Sequence, residues 1–227
     1  MSTAPFWVEP HRHITKVVIT KNCFMIFSPI SKRITPMNEH AIIEQYLQTF
    51  LRGCELIRPN EISVIYHALL KTTQAQGKIY LCGNGGSSST ASHFQSDLNS
   101  AFARSHNIMP AVCLTDNIAS LTAVANDISY EDVFCHQLRY LLERQDALVA
   151  ISASGNSANV IKTAELARQN GSTVVALVGF DGGRLKALSD YAFHVPVSNM
   201  QVVEDLQLLF CHLVSTLIRG GEYKCST

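Results

Sequence analysis

Two periods of hydrophobic spacing divide this chain. From His40 to Ile57 the apolar positions Ile42, Ile43, Tyr46, Leu47, Phe50, Leu51, Cys54 and Ile57 recur at helical spacing and predict an amphipathic helix. Pro59-Asn60-Glu61 opens a second helix through Ile62, Ile65, Tyr66, Leu69 and Leu70, ending near Gly77. Past Gly77 the pattern becomes short, mostly apolar runs at residues 78–82, 111–114, 147–151, 173–178 and 191–195, the last closed by Pro196. These are the runs of strands buried on both faces. Helical segments separate them: about 88–102, 117–125, 134–143, 158–170 stopped by Gly171, a short one near 185–188, and a last one from about 202 to 218. This alternation predicts an α/β fold: a doubly wound, parallel five-stranded sheet with helices on both faces, a flavodoxin-like sandwich preceded by an N-terminal helical hairpin. In such sheets ligands bind at the carboxyl ends of the strands.

Residues 1–36 differ from the rest. They mix Pro5, Pro10, Pro29 and Pro36 with one β-like run, Lys16-Val17-Val18-Ile19-Thr20. They are expected to be an N-terminal extension, either disordered or an accessory strand or hairpin, with Met37 as the natural start. Residues 37–227 then form a single domain, with the helical hairpin at 37–77 and the α/β core at 78–218. With 47% hydrophobic residues the chain can bury a sizeable core. Lys+Arg 18 against Asp+Glu 18 leaves no net charge, which disfavours direct nucleic-acid binding. No run of membrane-spanning length and no signal peptide is read in the chain. The seven cysteines include no Cys-x-x-Cys pair, which points to free thiols in a reduced, cytoplasmic compartment.

Two short stretches carry the candidate chemistry. Cys82-Gly83-Asn84-Gly85-Gly86-Ser87-Ser88-Ser89 follows the first strand, and Ser152-Ala153-Ser154-Gly155-Asn156-Ser157 follows the third. A Gly/Ser turn between a buried strand and a helix offers backbone N–H groups, hydroxyls and the positive end of the helix dipole. That is an anion site, and two of them suggest a phosphorylated small molecule. The first turn lacks the third glycine of a dinucleotide fingerprint, Ser88 standing there, and no Gly-Lys-Ser/Thr completes a nucleotide P-loop. By itself it also reads as a tight turn that needs positive φ at Gly85 or Gly86.

His93 and Asp97 lie one helical turn apart and face the same way, while Glu204 and His212 lie about two turns apart on the last helix. Two histidines with carboxylates are an adequate set for a divalent metal such as zinc. The same residues also fit a surface His/Asp hydrogen bond and a satisfied core histidine in an apolar helix.

The run from Leu81 to Leu98, together with Ile151-Ser152-Ala153-Ser154-Gly155-Asn156-Ser157-Ala158-Asn159-Val160-Ile161-Lys162, resembles the sugar isomerase (SIS) domain. Within that family the chain is similar to the phosphoheptose isomerase group. Asn126-Asp127, the stretch from Leu177 to Gly183 and the helix bearing His212 extend the likeness over roughly residues 37–218. The resemblance implies a cytoplasmic isomerase that turns sedoheptulose 7-phosphate into a heptose 7-phosphate for lipopolysaccharide or surface-polysaccharide biosynthesis. It implies a homotetramer with sites at subunit interfaces. Asn84, Gly85, Gly86, Asp97, Asn126, Asp127 and Glu204 would contact the sugar, and Ser152, Ala153, Ser154 and Ser157 the phosphate. His93, Asp97, Glu204 and His212 would surround one Zn(2+) per subunit, with Asp97 or Glu204 as base and His212 as acid.

The likeness is inexact at two of those four positions. Asp97 stands where the group has a longer Glu, and Glu204 where it has a neutral Gln. Two rival readings follow. One is a non-catalytic, phosphosugar-binding SIS adaptor of the type that associates with the DnaA initiator. The other is a sugar-phosphate-sensing regulatory SIS module.

Overall fold

The computed structural model describes residues 15–19, 25–29, 38–101 and 109–220. Expectations about a start at Met37, the order of the leader, Cys23, Phe102 and Cys225 lie outside the described residues. The chain divides between Ile42 and Ile43 into a small and a large compact unit. In the small unit β1 (Thr15–Ile19) and β2 (Met25–Pro29) pair antiparallel, with Val17 opposite Phe27.

The rest of the chain, from Glu39 onward, follows the expected alternation, and the boundary falls within the first turn of its first helix. The helical pair is α1 (Glu39–Glu55) and α2 (Pro59–Gln74), with Pro59 preset for a first helical turn. Then come β3 (Ile79–Gly83), α3 (Gly86–Ala101), β4 (Ala111–Cys113) and α4 (Ile118–Asp127). A 3-10 turn at Tyr130–Asp132 precedes the short α5 (Cys135–Leu138). The order continues with β5 (Ala147–Ser152), α6 (Ala158–Asn170), β6 (Thr173–Val178), α7 (Gly183–Leu188), β7 (Tyr191–His194) and α8 (Met200–Ile218).

The parallel sheet has the order β4-β3-β5-β6-β7. The chain leaves β3 toward one edge and returns at β5 to build toward the other. The topological switch therefore lies between β3 and β5, where a doubly wound sheet opens its binding crevice. Gly83 pairs in register with Ile151, so the two Gly/Ser turns leave the sheet side by side.

Side chains alternate between two cores, as a strand's period of two requires. Ile79, Leu81, Ala147, Val149 and Ile151 face α2, α3 and α8, whereas Tyr80, Cys82, Leu148 and Ala150 face α6 and the 133–138 segment. Helices α3 and α8 pack through Phe94 and Phe210, whose rings meet edge to face at 6.2 Å, and Phe193 of β7 lies 4.8 Å from Phe210. The Tyr46 hydroxyl of α1 donates to Asp205 of α8 at 2.5 Å and ties the helical pair to this layer.

Three sequence expectations change in detail. The helix expected over 134–143 stops at Leu138. Beyond it, Asp146 accepts the N–H groups of Glu143 and Lys78, both at 2.7 Å, and the Tyr80 hydroxyl donates to the Leu141 carbonyl. These bonds draw the segment down to the sheet instead of around a helix. Helix α8 begins at Met200, because the Asn199 side chain accepts from Val202 N–H as an N-cap. This helix is long and apolar enough to cross a membrane by length and composition, contrary to the sequence reading. Half of its most apolar window is nevertheless buried inside the fold, as in a core helix.

Candidate active site

A cleft of about 300 Å³ opens at the switch point between β3 and β5. Asn84, Gly85, Gly86, Ser152, Ala153, Ser154, Ser157 and Glu204 all line it. Gly85 turns the chain at φ +54 into α3, and Gly155 turns it at φ +65 before α6. A Cβ at Gly155 would overlap the backbone carbonyl of Gly182, so the second turn is locked against the Gly182-Gly183 turn. Gly155 N–H returns to the Ser152 carbonyl and Asn156 N–H to the Ser154 hydroxyl, while the hydroxyls of Ser152 and Ser157 lie 3.1 Å apart. Ser157 is the N-cap residue of α6, and its own side chain makes no cap bond. Ser152, Ser154 and Ser157 all line the cleft where α6 begins, a hydroxyl-bearing helix start of the kind that suits a phosphate dianion.

The first turn is organised differently. Asn84 and Asn159 exchange side-chain amide hydrogen bonds at 2.8 and 2.9 Å, and the Tyr130 hydroxyl donates to Asn84 Oδ1 at 2.9 Å. The Asn84 side chain is thus occupied in joining the two turns. The Glu204 carboxylate packs against Gly86, where any Cβ would overlap it. One carboxylate therefore already stands at the first turn of α3. A carboxylate at that turn disfavours a second anion beside it, whereas no carboxylate from the cleft lining stands at the α6 turn.

Farther along α3, His93 and Asp97 meet His212 of α8. The Nε2 atoms of His93 and His212 are 3.0 Å apart, and His93 Nε2 is 3.6 Å from Asp97 Oδ2. One ligand atom from each of the three lies within 4.8 Å of the others. Two ligands about 2.0–2.2 Å from one tetrahedral zinc ion stand roughly 3.3–3.6 Å apart, close to the 3.0 and 3.6 Å separations here, so the His₂Asp donor set suits a single divalent ion after a shift of a few tenths of an ångström. Glu204 does not join them. Its place eight residues before His212 sets it about 12 Å back along α8, in the cleft. His93 itself lines a second, more open cleft of about 590 Å³ with Ser89, Ser92, Ser96 and Asp116.

Asn126 and Asp127 lie exposed at the end of α4, where the Asn126 amide donates to Asp127 at 2.8 Å, and neither lines the cleft. Asn159 and Tyr130, which hold Asn84, escaped the sequence reading. So did Ser215 and Arg219, which approach Asp97. Ser215 and Arg219 follow His212 by three and seven residues, helical spacing that could have flagged them. The partners of Asn84 gave no local signal.

Cysteine chemistry is absent from the described thiols. Cys54, Cys82, Cys113, Cys135 and Cys211 are free. Burial raises the pKa of each, that of Cys135 to about 11, so they stay protonated and weakly nucleophilic at neutral pH.

The parallel sheet, its glycine-serine turns at the switch point and the helices behind them define a sugar-phosphate-binding domain. Residues 45–179 match the family model of the SIS domain, and the chain belongs to that family. Its relatives narrow the group. The phosphoheptose isomerase of Helicobacter pylori (strain P12) is 40% identical over 152 residues, covering 67% of this chain and 79% of that protein. That of Alkalilimnicola ehrlichii is 38% identical over 188 residues, covering 80% and 96%. The structure of phosphoheptose isomerase GmhA from Neisseria gonorrhoeae superposes with a TM-score of 0.73 at 30% identity, over 80% of this chain and 96% of that one. Within the SIS family the chain falls with the phosphoheptose isomerases.

Proposed function

We infer that this protein is a phosphoheptose isomerase, an aldose–ketose isomerase acting on sedoheptulose 7-phosphate. The observation that carries the reading is the cleft where the α6 turn, the α3 turn and Glu204 meet, in a chain that runs nearly the full length of the phosphoheptose isomerase of A. ehrlichii. Its partner is a sugar phosphate, with the phosphate at Ser152, Ser154 and Ser157 and the sugar toward Gly85, Gly86 and Glu204.

The reaction moves one carbonyl by one carbon. A carboxylate takes a proton from C1 of the ketose, and the electrons pass through a cis-enediol. A proton then returns to C2, and the O1 proton is exchanged for one on O2, leaving an aldose. Positioned acid–base groups contribute about 10²–10⁴-fold to such transfers. We assign the base to Asp97 or Glu204 and the acid to His212. Because the His93/Asp97/His212 cluster lies about 10 Å along α3 from the cleft of its own chain, the cluster that meets the sugar in one cleft would come from a neighbouring subunit. His93, Asp97 and His212 would hold one Zn(2+) per subunit, which when bound supplies electrostatic stabilisation of developing oxyanion charge.

We further propose that the protein works as a homotetramer. Ile43, Leu47 and Leu51 form an exposed apolar stripe on α1, 55–60% accessible, of the kind that oligomers cover. The cleft and the His/Asp/His cluster lie about 10 Å apart along α3, so a neighbouring subunit could complete either one. The free, buried thiols support a reduced cytoplasmic setting.

The direct test is NMR of sedoheptulose 7-phosphate incubated with the purified full chain, as isolated, after chelation and after zinc loading. An aldose heptose 7-phosphate should accumulate to equilibrium. Absence of interconversion in all three preparations would overturn the assignment.

A further inference from the structure

Asp97 is held from the opposite helix. It projects from α3 with 18% of its side chain accessible, and its two carboxylate oxygens meet one group of α8 and one from the residue that follows α8. The Ser215 hydroxyl lies 3.0 Å from Oδ2, and the Arg219 guanidinium lies 3.9 Å from Oδ1. His93 of α3 approaches Oδ2 at 3.6 Å. Ser215 is 3% exposed and sits on the buried face of α8. Its single proton has two acceptors in reach, Asp97 Oδ2 and the Cys211 carbonyl at 2.9 Å. A charged acceptor forms the stronger hydrogen bond, roughly twice a neutral one, so the carboxylate holds that proton. A short aspartate side chain pinned from across a helix–helix interface has little freedom to swing away from the histidines.

We propose that Ser215 is a positioning residue, which with Arg219 fixes the Asp97 carboxylate beside His93 and His212 so that the cluster is preorganised for a divalent cation. The proposal rests on the metal reading above. Groups that orient a ligating carboxylate typically carry about 10–100-fold of a site's metal affinity. Ser215 lines neither cleft and acts only through Asp97.

The test titrates the full-length protein with Zn²⁺ against a chelator of known affinity, and with Co²⁺ followed by its visible absorption. Wild type, Ser215→Ala, Ser215→Thr and Arg219→Gln are compared, with Tm recorded for each. Ser215→Ala should bind Zn²⁺ about 10–100-fold more weakly and alter the Co²⁺ spectrum. Ser215→Thr, which keeps the hydroxyl, should restore both. Arg219→Gln, at an exposed helix end where folding is not at stake, should weaken binding by a smaller factor. A wild type that binds no metal defeats the metal reading and this inference with it. Strong wild-type binding with unchanged affinity in Ser215→Ala and Arg219→Gln overturns the inference alone, as does a fall in Tm for Ser215→Ala without loss of affinity.

Discussion

His93 and His212 stand 119 residues apart in the chain, yet their Nε2 atoms are 3.0 Å apart across the contact between α3 and α8. Two neutral imidazoles sit so close only when one ring, either of the two, donates and the other accepts. A shared cation removes that constraint and binds both as acceptors. The edge-to-face contact of Phe94 and Phe210, neighbours of these histidines on the same two helices, sets the spacing.

Substitution at this cluster should affect turnover more than folding. Asp97→Asn and His212→Ala are each expected to lower kcat for sedoheptulose 7-phosphate by at least about 100-fold. The Tm of His212→Ala should change little, since His212 is exposed. Unchanged turnover in both variants would remove these residues from the chemistry.

The α6 turn should recognise phosphate specifically. Ser157→Ala deletes a hydroxyl at the helix N-terminus, and a hydrogen bond to a charged group is worth about 1.5–3 kcal/mol. KM for the sugar phosphate should rise about tenfold or more, with kcat nearly unchanged. Inhibition by inorganic phosphate should weaken in parallel. An unchanged phosphate inhibition constant would place the anion elsewhere.

Backbone conformation makes Gly155 irreplaceable. Alanine there must adopt φ +65 and push its Cβ into the Gly182 carbonyl. The left-handed strain alone costs about 1–3 kcal/mol, roughly 2–12 °C in Tm for a chain of this size. Gly85, with open space around it, should tolerate alanine with a smaller loss. Scanning calorimetry of the two variants gives the comparison.

Acid should weaken the fold through Asp132. The Lys162 ammonium at 2.8 Å, with help from Ser129 and Cys135, holds the Asp132 carboxyl below the usual carboxylate range. A carboxyl with a depressed folded pKa contributes stability that is fully present above the unfolded value, about 3.9, and is lost as pH falls below it. The Tm difference between wild type and Asp132→Asn should therefore be constant from pH 6 to 8 and shrink below about pH 4. A constant difference down to pH 3 would mean that the pair contributes nothing through ionisation.

Local signals are legible where one element contains the whole cause. The strands were legible because runs such as Leu148-Val149-Ala150 are apolar on both faces, and Gly85 announced its turn because few other residues accept positive φ. The end of α5 was not legible, because the side chain that draws the segment to the sheet belongs to Asp146, beyond the expected helix. Four residues proposed from sequence as one metal set divided into a cluster of three and a lone Glu204. Two helical turns separate Glu204 from His212 even though they share a helix face.

Hydrophobic period and turn chemistry in the chain alone determined the α/β class and the two Gly/Ser turns, and the likeness to the SIS family picked out the candidate residues. These depend on contacts between near neighbours. Tertiary structure decided what those residues do together. Strand order placed the turns side by side at the β3–β5 switch, and Asn159 and Tyr130 took the Asn84 side chain for a structural task. The packing of α3 on α8 gave Asp97 its partners in Ser215 and Arg219. Those contacts join residues more than a hundred positions apart, where no local spacing carries the information.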